Sequence, residues 1–163
     1  MENIDNKQSE ARQRNLLRFV HAQDNGGIYE GTATYAEALQ EVKNGHKRSH
    51  WIWYVFPQMR GLGHSDRANY YGIADREEAE DYLLNFTLND RIHEISEALL
   101  QHKGKSVYRI FGEIDTMKVQ SSMTLFDAIS PDDVFGKVLD QFYGGVRDKR
   151  TLELLGEYED DIP

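Results

Sequence analysis

A chain of 163 residues with 19 Lys and Arg against 28 Asp and Glu carries a formal charge of −9. That is the size of one compact domain, without the cationic excess that binding to duplex DNA or anionic lipid draws on. Cysteine is absent, which excludes disulfides, thiolate metal sites, iron–sulfur clusters and cysteine nucleophiles and points to a reducing cytoplasm. The longest apolar run, Trp51-Ile52-Trp53-Tyr54-Val55-Phe56, is far shorter than the roughly 20 residues a membrane helix needs. The polar N-terminus has no apolar signal-peptide core, so a soluble, unexported protein is expected.

Residues 1–13 and 157–163 are polar and without periodicity, and are expected to be tails around a single domain spanning 14–156. Tyr35, Ala38, Leu39 and Val42 repeat at helical spacing and predict an amphipathic helix. Trp51 to Phe56, rich in aromatic and β-branched residues, is expected to be extended and buried, and one strand makes no sheet. Ser65 or Asp66 can cap a helix through Tyr71 that Gly72 ends, and Asp75 can cap the acidic stretch Arg76 to Leu84. Leu88, Ile92, Ile95 and Leu99 mark a further helix. Asp115 is expected to cap a helix running to Ile129, Asp132 or Asp133 one carrying Phe135, Val138, Leu139 and Phe142, and Asp148 a last one carrying Leu152 and Leu155. The predicted fold class is mostly α: a compact single-domain multi-helix fold of about eight short helices, with at most one or two short extended segments.

The charge is unevenly distributed. From Val42 to Ser65 there is no carboxylate, while Lys43, Lys47, Arg48 and Arg60 give this stretch +4 and leave −13 elsewhere. It also contains His46, His50, His64 and both tryptophans. In so acidic a protein, this is where an anionic ligand group is best tolerated. Within it, Arg48 and His50 are candidate anion-handling residues; His50 is also of the residue type that serves as general acid or base, or else a hydrogen-bonded histidine holding a chain crossing. Trp53 is a candidate stacking ring and Trp51 a core residue. Gln58, Gly61, Gly63 and Ser65 form the approach to a predicted helix, where backbone amides and a hydroxyl can cradle phosphate or simply turn the chain. His46 and His50 stand at i and i+4, but Lys47 and Arg48 lie between them and no acidic ligand is near, so no metal site is assigned.

A second unusual stretch is Asp115 to Asp127, where Ser121, Ser122 and Thr124 crowd hydroxyls into the middle of a predicted helix. Lys118, Ser121, Ser122 and Leu125 share one helical face, and Val119, Met123 and Phe126 another. This can line a polar pocket, or let a neighbouring helix approach closely. No Gly-x-Ser-x-Gly elbow or Ser-x-x-Lys pattern is present. Gly104-Lys105-Ser106 is no phosphate loop, since Leu99 stands where that pattern requires glycine. Asp148, after Gly144-Gly145, is either a helix cap or the carboxylate that an oxocarbenium-like transition state needs.

Ser49-His50-Trp51-Ile52-Trp53, Phe56-Pro57-Gln58, Gly61-Leu62-Gly63, Tyr71-Gly72, Lys118, Ser121 to Phe126, and Gly145 with Asp148, Thr151 and Leu155-Gly156 together resemble the bacterial domain-of-unknown-function family eighteen-ten. Its members often carry the label calpastatin, which fits long disordered inhibitors and not this compact aromatic chain. The resemblance runs from about Leu16 to Gly156 and implies a small, mostly helical single domain with no established activity. More remotely, the chain is similar to the YbiA-type ADP-ribose-processing family, which implies an N-glycosidic ADP-ribose or related nucleotide as substrate.

The leading expectation is a protein that binds an ADP-ribose-like or other phosphorylated small molecule, in a pocket between the 46–65 segment and the 115–127 helix. The enzymatic form of this expectation is a hydrolase with His50, Asp148 and Lys118 as catalytic residues. Arg48, Trp53, Gln58, Gly61, Gly63, Ser65, Ser121, Ser122 and Thr124 are its ligand-binding residues, and it uses no cofactor or metal. The alternative is a non-enzymatic interaction module for a protein partner or single-stranded RNA, for which stacking and local cationic charge suffice. Neither expectation sets the oligomeric state.

Overall fold

The computed structural model of the chain describes residues 4–156, and places nine helices and no sheet among them. These are α1 (Ile4–Asn25), α2 (Tyr35–Asn44), α3 (Ile52–Val55), α4 (Asp66–Tyr71), α5 (Arg76–Leu84), α6 (Phe86–Leu100), α7 (Val107–Ile129), α8 (Val134–Tyr143) and α9 (Lys149–Leu155). The fold is thus the mostly α, single-domain arrangement that the apolar spacing predicts. No helix among the described residues is long and apolar enough to cross a membrane. α1 begins at Ile4, inside the stretch expected to be a tail; residues 157–163 lie outside the described residues.

The helix starts follow local side-chain chemistry. Ser65, Asp75, Asp133 and Asp148 each accept a hydrogen bond from an amide of the first turn of the helix that follows. Thr34 and Glu37 close a reciprocal capping box at α2. Asp115, by contrast, caps nothing. Ser106 starts α7 much earlier, and the helix is broken at Gly112, whose φ of 78° and ψ of 176° depart from helical geometry. A Cβ at Gly112 would meet nothing within 4 Å, so it is the left-handed φ and not lack of space that favours glycine. Asp115 falls within the helix beyond this break.

The expected extended segment is a second correction. Ile52–Val55 forms one helical turn, α3, closed by Val55 N–H to Trp51 C=O and Phe56 N–H to Ile52 C=O. Extended pairing falls to either side of it, as isolated bridges between Thr32 and His50 and between Met59 and Ile73. The apolar composition of this segment reflects burial of all but Trp53: Trp51, Ile52, Tyr54, Val55 and Phe56 are each at most 1% exposed.

α3 sits at the centre of the core. Trp51, Phe56 and Phe111 pack ring against ring, and Tyr54 touches Tyr71, which in turn meets Phe19. On the other side Phe126 of α7 lies between Tyr82 of α5 and Phe135 of α8. Fully burying one such side chain is worth about 1.5–3 kcal/mol, so this aromatic spine supplies much of the driving force. It also fixes α7 against α3, which brings the two unusual stretches of sequence together.

Candidate functional site

The carboxylate-free stretch is not carboxylate-free in space. Glu41, one residue before it, turns its carboxylate onto the segment and accepts hydrogen bonds from the amides of Arg48 and Ser49, from Ser49 Oγ and from Trp51 Nε1. Burial pushes the Glu41 carboxyl up, but these donors outweigh it and hold it below its ordinary value. Lys47 is neutralised as well: its ammonium lies 2.7 Å from Asp115 Oδ2. Their side chains are 8% and 18% exposed, so the pair is largely withdrawn from water. Two of the stretch's notable features, its open backbone and its most buried cation, therefore serve the fold.

Charge remains open around Trp53. The half-buried indole has the Arg67 guanidinium 5.0 Å and the Lys118 ammonium 4.7 Å from its ring centroid. Arg67 also stands 4.6 Å from the ring centroid of Tyr29, and makes no ion pair among the described residues. Among the described residues Lys118 pairs only with Asp115, at 3.7 Å, and that carboxylate is already engaged by Lys47. Segment and helix thus share a locale, joined by Trp53 with Lys118 and by Lys47 with Asp115.

The hydroxyl-rich face does not line it. Residues 121–126 are all buried. Ser121 Oγ donates to the Met117 carbonyl and also lies 3.1 Å from Asp148 Oδ2, while Thr124 Oγ1 donates to the Gln120 carbonyl and accepts from the Asp148 amide. Asp148 Oδ2 additionally takes the Thr151 amide and hydroxyl. Ser121, Thr124 and Asp148 therefore dock α9 onto α7, and Asp148 serves as a helix cap. Ser122 Oγ is buried and without a hydrogen-bond partner.

The other expected site residues are scattered. His50 is exposed, and its backbone carbonyl holds a chain crossing by accepting from the Ala33 amide and the Tyr54 hydroxyl. Arg48 is exposed. Ser65 Oγ accepts from the Ala68 amide as the α4 cap. Gly61 lies against Leu154 of α9, and a Cβ on Gly63 would come within 2.8 Å of Ala68 Cβ and 3.7 Å of Gln58 Nε2, so this turn packs tightly onto α4. Surface clefts open at Asp127, Asp133, Lys137 and Arg147, at Leu83, Leu84 and Ile129, at Leu100, Lys103 and Gln141, and at His21, Tyr70 and Tyr71. None of these four includes Trp53 or Lys118 in its lining.

A family model described as "Protein of unknown function (DUF1810)" matches residues 13–155 of the chain. The chain belongs to the DUF1810 family. Among solved structures it is similar to the conserved hypothetical protein Rv1873 from Mycobacterium tuberculosis, with 42% sequence identity, a TM-score of 0.80, and coverage of 87% of this chain and 96% of that one. No curated protein gives a significant match.

Within this DUF1810 domain, sequence reasoning finds Trp53 and Lys118 but misses Arg67 and Tyr29. Arg67 stands two residues beyond the carboxylate-free window, behind Asp66. A signal was available, since Arg67 lies in the first turn of the helix that follows the Gly61-to-Ser65 turn, and the first turn of a capped helix projects its side chains back toward that turn. Tyr29 carries no local signal; only the fold brings it to Arg67.

Proposed function

We propose that this protein binds a phosphorylated small molecule of ADP-ribose-like chemistry, with Arg67 and Lys118 taking its anionic groups beside Trp53. The observation that carries this reading is Arg67, a half-buried arginine held between two aromatic rings with no carboxylate partner among the described residues, in a chain of net charge −9. The acidic surface elsewhere repels an anion, and a guanidinium fork matches a phosphate bidentately. Contacts between a cation and a ring at a partly exposed site are worth only about 0.5–1 kcal/mol. Exchanging them for phosphate breaks no ion pair at Arg67 and only a 3.7 Å contact at Lys118.

Binding is the activity this arrangement accounts for. Hydrolysis needs a free carboxylate or base at the ligand, and Asp148 is committed to Ser121 and Thr151. Titration calorimetry with ADP-ribose and with inorganic pyrophosphate tests the reading. Saturable one-to-one binding is expected, abolished in Arg67→Ala and Lys118→Ala, with both variants melting close to the parent. Flat titrations with both ligands would remove the proposal. Tight binding of single-stranded RNA with a steep salt dependence would replace it with the interaction reading. Mass spectrometry of the same mixtures reports any bond cleavage.

A further inference from the structure

The face of α4 that carries Arg67 also carries Tyr70 and Tyr71, at i+3 and i+4. Those two rings line a cavity of about 260 Å³, closed by the C-terminal end of α1 and the loop that follows it. Tyr70 is 43% exposed and stands edge-on to Tyr71, with ring centroids 4.7 Å apart and planes at 87°. The Tyr71 hydroxyl is buried against the Ile28 backbone. Burial raises that phenol's pKa, so it remains a hydrogen-bond donor at neutral pH. The exposed His21 and Asn25 add polar groups to the lining.

Arg18 also lines this cavity, and it decides what kind of ligand fits. Its guanidinium donates to the carbonyls of Asn15, Tyr70 and Gly72 and forks onto both carboxylate oxygens of Glu78. All five of its N–H groups are occupied and its charge is cancelled. The cavity is therefore no anion site. Aromatic walls, polar edges and a neutralised arginine suit a flat, hydrogen-bonding group. The loop that closes it also carries Tyr29, which contacts Arg67, so the cavity and the cationic cluster adjoin through α4 and one loop.

We infer that this cavity takes the planar nitrogen heterocycle of a nucleoside diphosphate whose phosphates lie at Arg67 and Lys118. The inference rests on the anion-binding reading of the Trp53 cluster and extends it to the ligand's other end. Four helical residues separate Arg67 from Tyr71, a rise of about 6 Å, comparable to the sugar that links a base to its first phosphate.

Titration calorimetry of the full chain with ADP and with inorganic pyrophosphate tests it. ADP is expected to bind about tenfold more tightly than pyrophosphate, the increment of one stacked base. Tyr70→Ala and Asn25→Ala alter exposed side chains, and thermal melts confirm that both variants fold. Each is expected to weaken ADP several-fold to about tenfold and to leave pyrophosphate unchanged. Equal affinity for ADP and pyrophosphate in the parent protein overturns the heterocycle site while leaving the anion reading intact. So does an equal loss of both ligands in Tyr70→Ala. Flat titrations with both ligands overturn the anion reading and this inference with it.

Discussion

Two regions of this molecule stand out equally in sequence and behave oppositely in the fold. The hydroxyl-rich stretch of α7 turns Ser121 and Thr124 inward, where Asp148 and nearby carbonyls satisfy them. The Trp53 cluster leaves Arg67 facing rings instead of carboxylates. Both stretches stand out by composition, yet only the second keeps bonding capacity for something outside the chain. An unusual local composition thus signals a requirement of some kind, and the partners in space decide whether it belongs to the fold or to a ligand.

Substitutions can break this contrast at several levels. Asp115→Asn should be the most damaging, since it strands the buried Lys47 ammonium. A loss of about 3 kcal/mol is expected, seen as a fall of roughly 6–12 °C in a thermal melt. The same change frees Lys118, so anion affinity should rise in whatever folded protein remains. Asp148→Ala removes the α9 cap and leaves the Thr151 hydroxyl without its acceptor, at about 2 kcal/mol in a denaturant titration. Ligand affinity should be unchanged, and a selective loss of binding with normal stability would move Asp148 to the other side of the comparison.

A third case lies between α6 and α8, where His93 Nε2 is 3.0 Å from Asp133 Oδ2. Burial opposes charge on His93, but hydrogen bonds to Asp133 and to the Asn89 carbonyl outweigh it and raise its pKa above the ordinary 6.5. For Asp133 burial acts upward, and its bonds from His93, Val134 and Ser130 hold it below 3.8. The histidine's share of stability is present below its unfolded pKa and fades as pH rises through the raised one; the aspartate's is present above its unfolded pKa and fades as pH falls through the lowered one. The stability gap between parent and His93→Ala should therefore be widest near pH 5.5, at about 1 kcal/mol, and narrow toward pH 8. An identical gap at both values would show a neutral hydrogen bond. The smallest stability effect is expected for Arg67→Ala, below about 1 kcal/mol, although it should abolish anion binding. A large melting shift would instead make the arginine part of the core.

Much of the fold is legible because its determinants are local. Ser65, Asp75, Asp133 and Asp148 announce helices through an amide two or three residues away at most, and Leu88, Ile92, Ile95 and Leu99 show the buried stripe of α6. The errors fall where distant residues decide. Trp51 to Phe56 reads as a strand because burial on all sides selects the same residue types that strands prefer. Asp115 reads as a cap because its true partner, Lys47, is far away in sequence and the helix break at Gly112 precedes it. The site is less legible for the same reason: a count of charge along the chain does not register Glu41 and Asp115 folding back onto the basic segment, nor Tyr29 reaching Arg67.

The two tryptophans, separated by a single residue, occupy different surroundings. Trp51 is fully enclosed, with its indole N–H held by Glu41, whereas Trp53 is half-buried beside the Arg67 and Lys118 cations. Their emission should differ accordingly: Trp51 fluoresces from an apolar, rigid site and changes only when the core opens, while Trp53 is tuned by the charges above its ring. A chain with Trp53→Phe then reports unfolding alone, and one with Trp51→Phe reports what happens at the cationic surface. The protein carries two native optical channels, one for its interior and one for whatever arrives from solution.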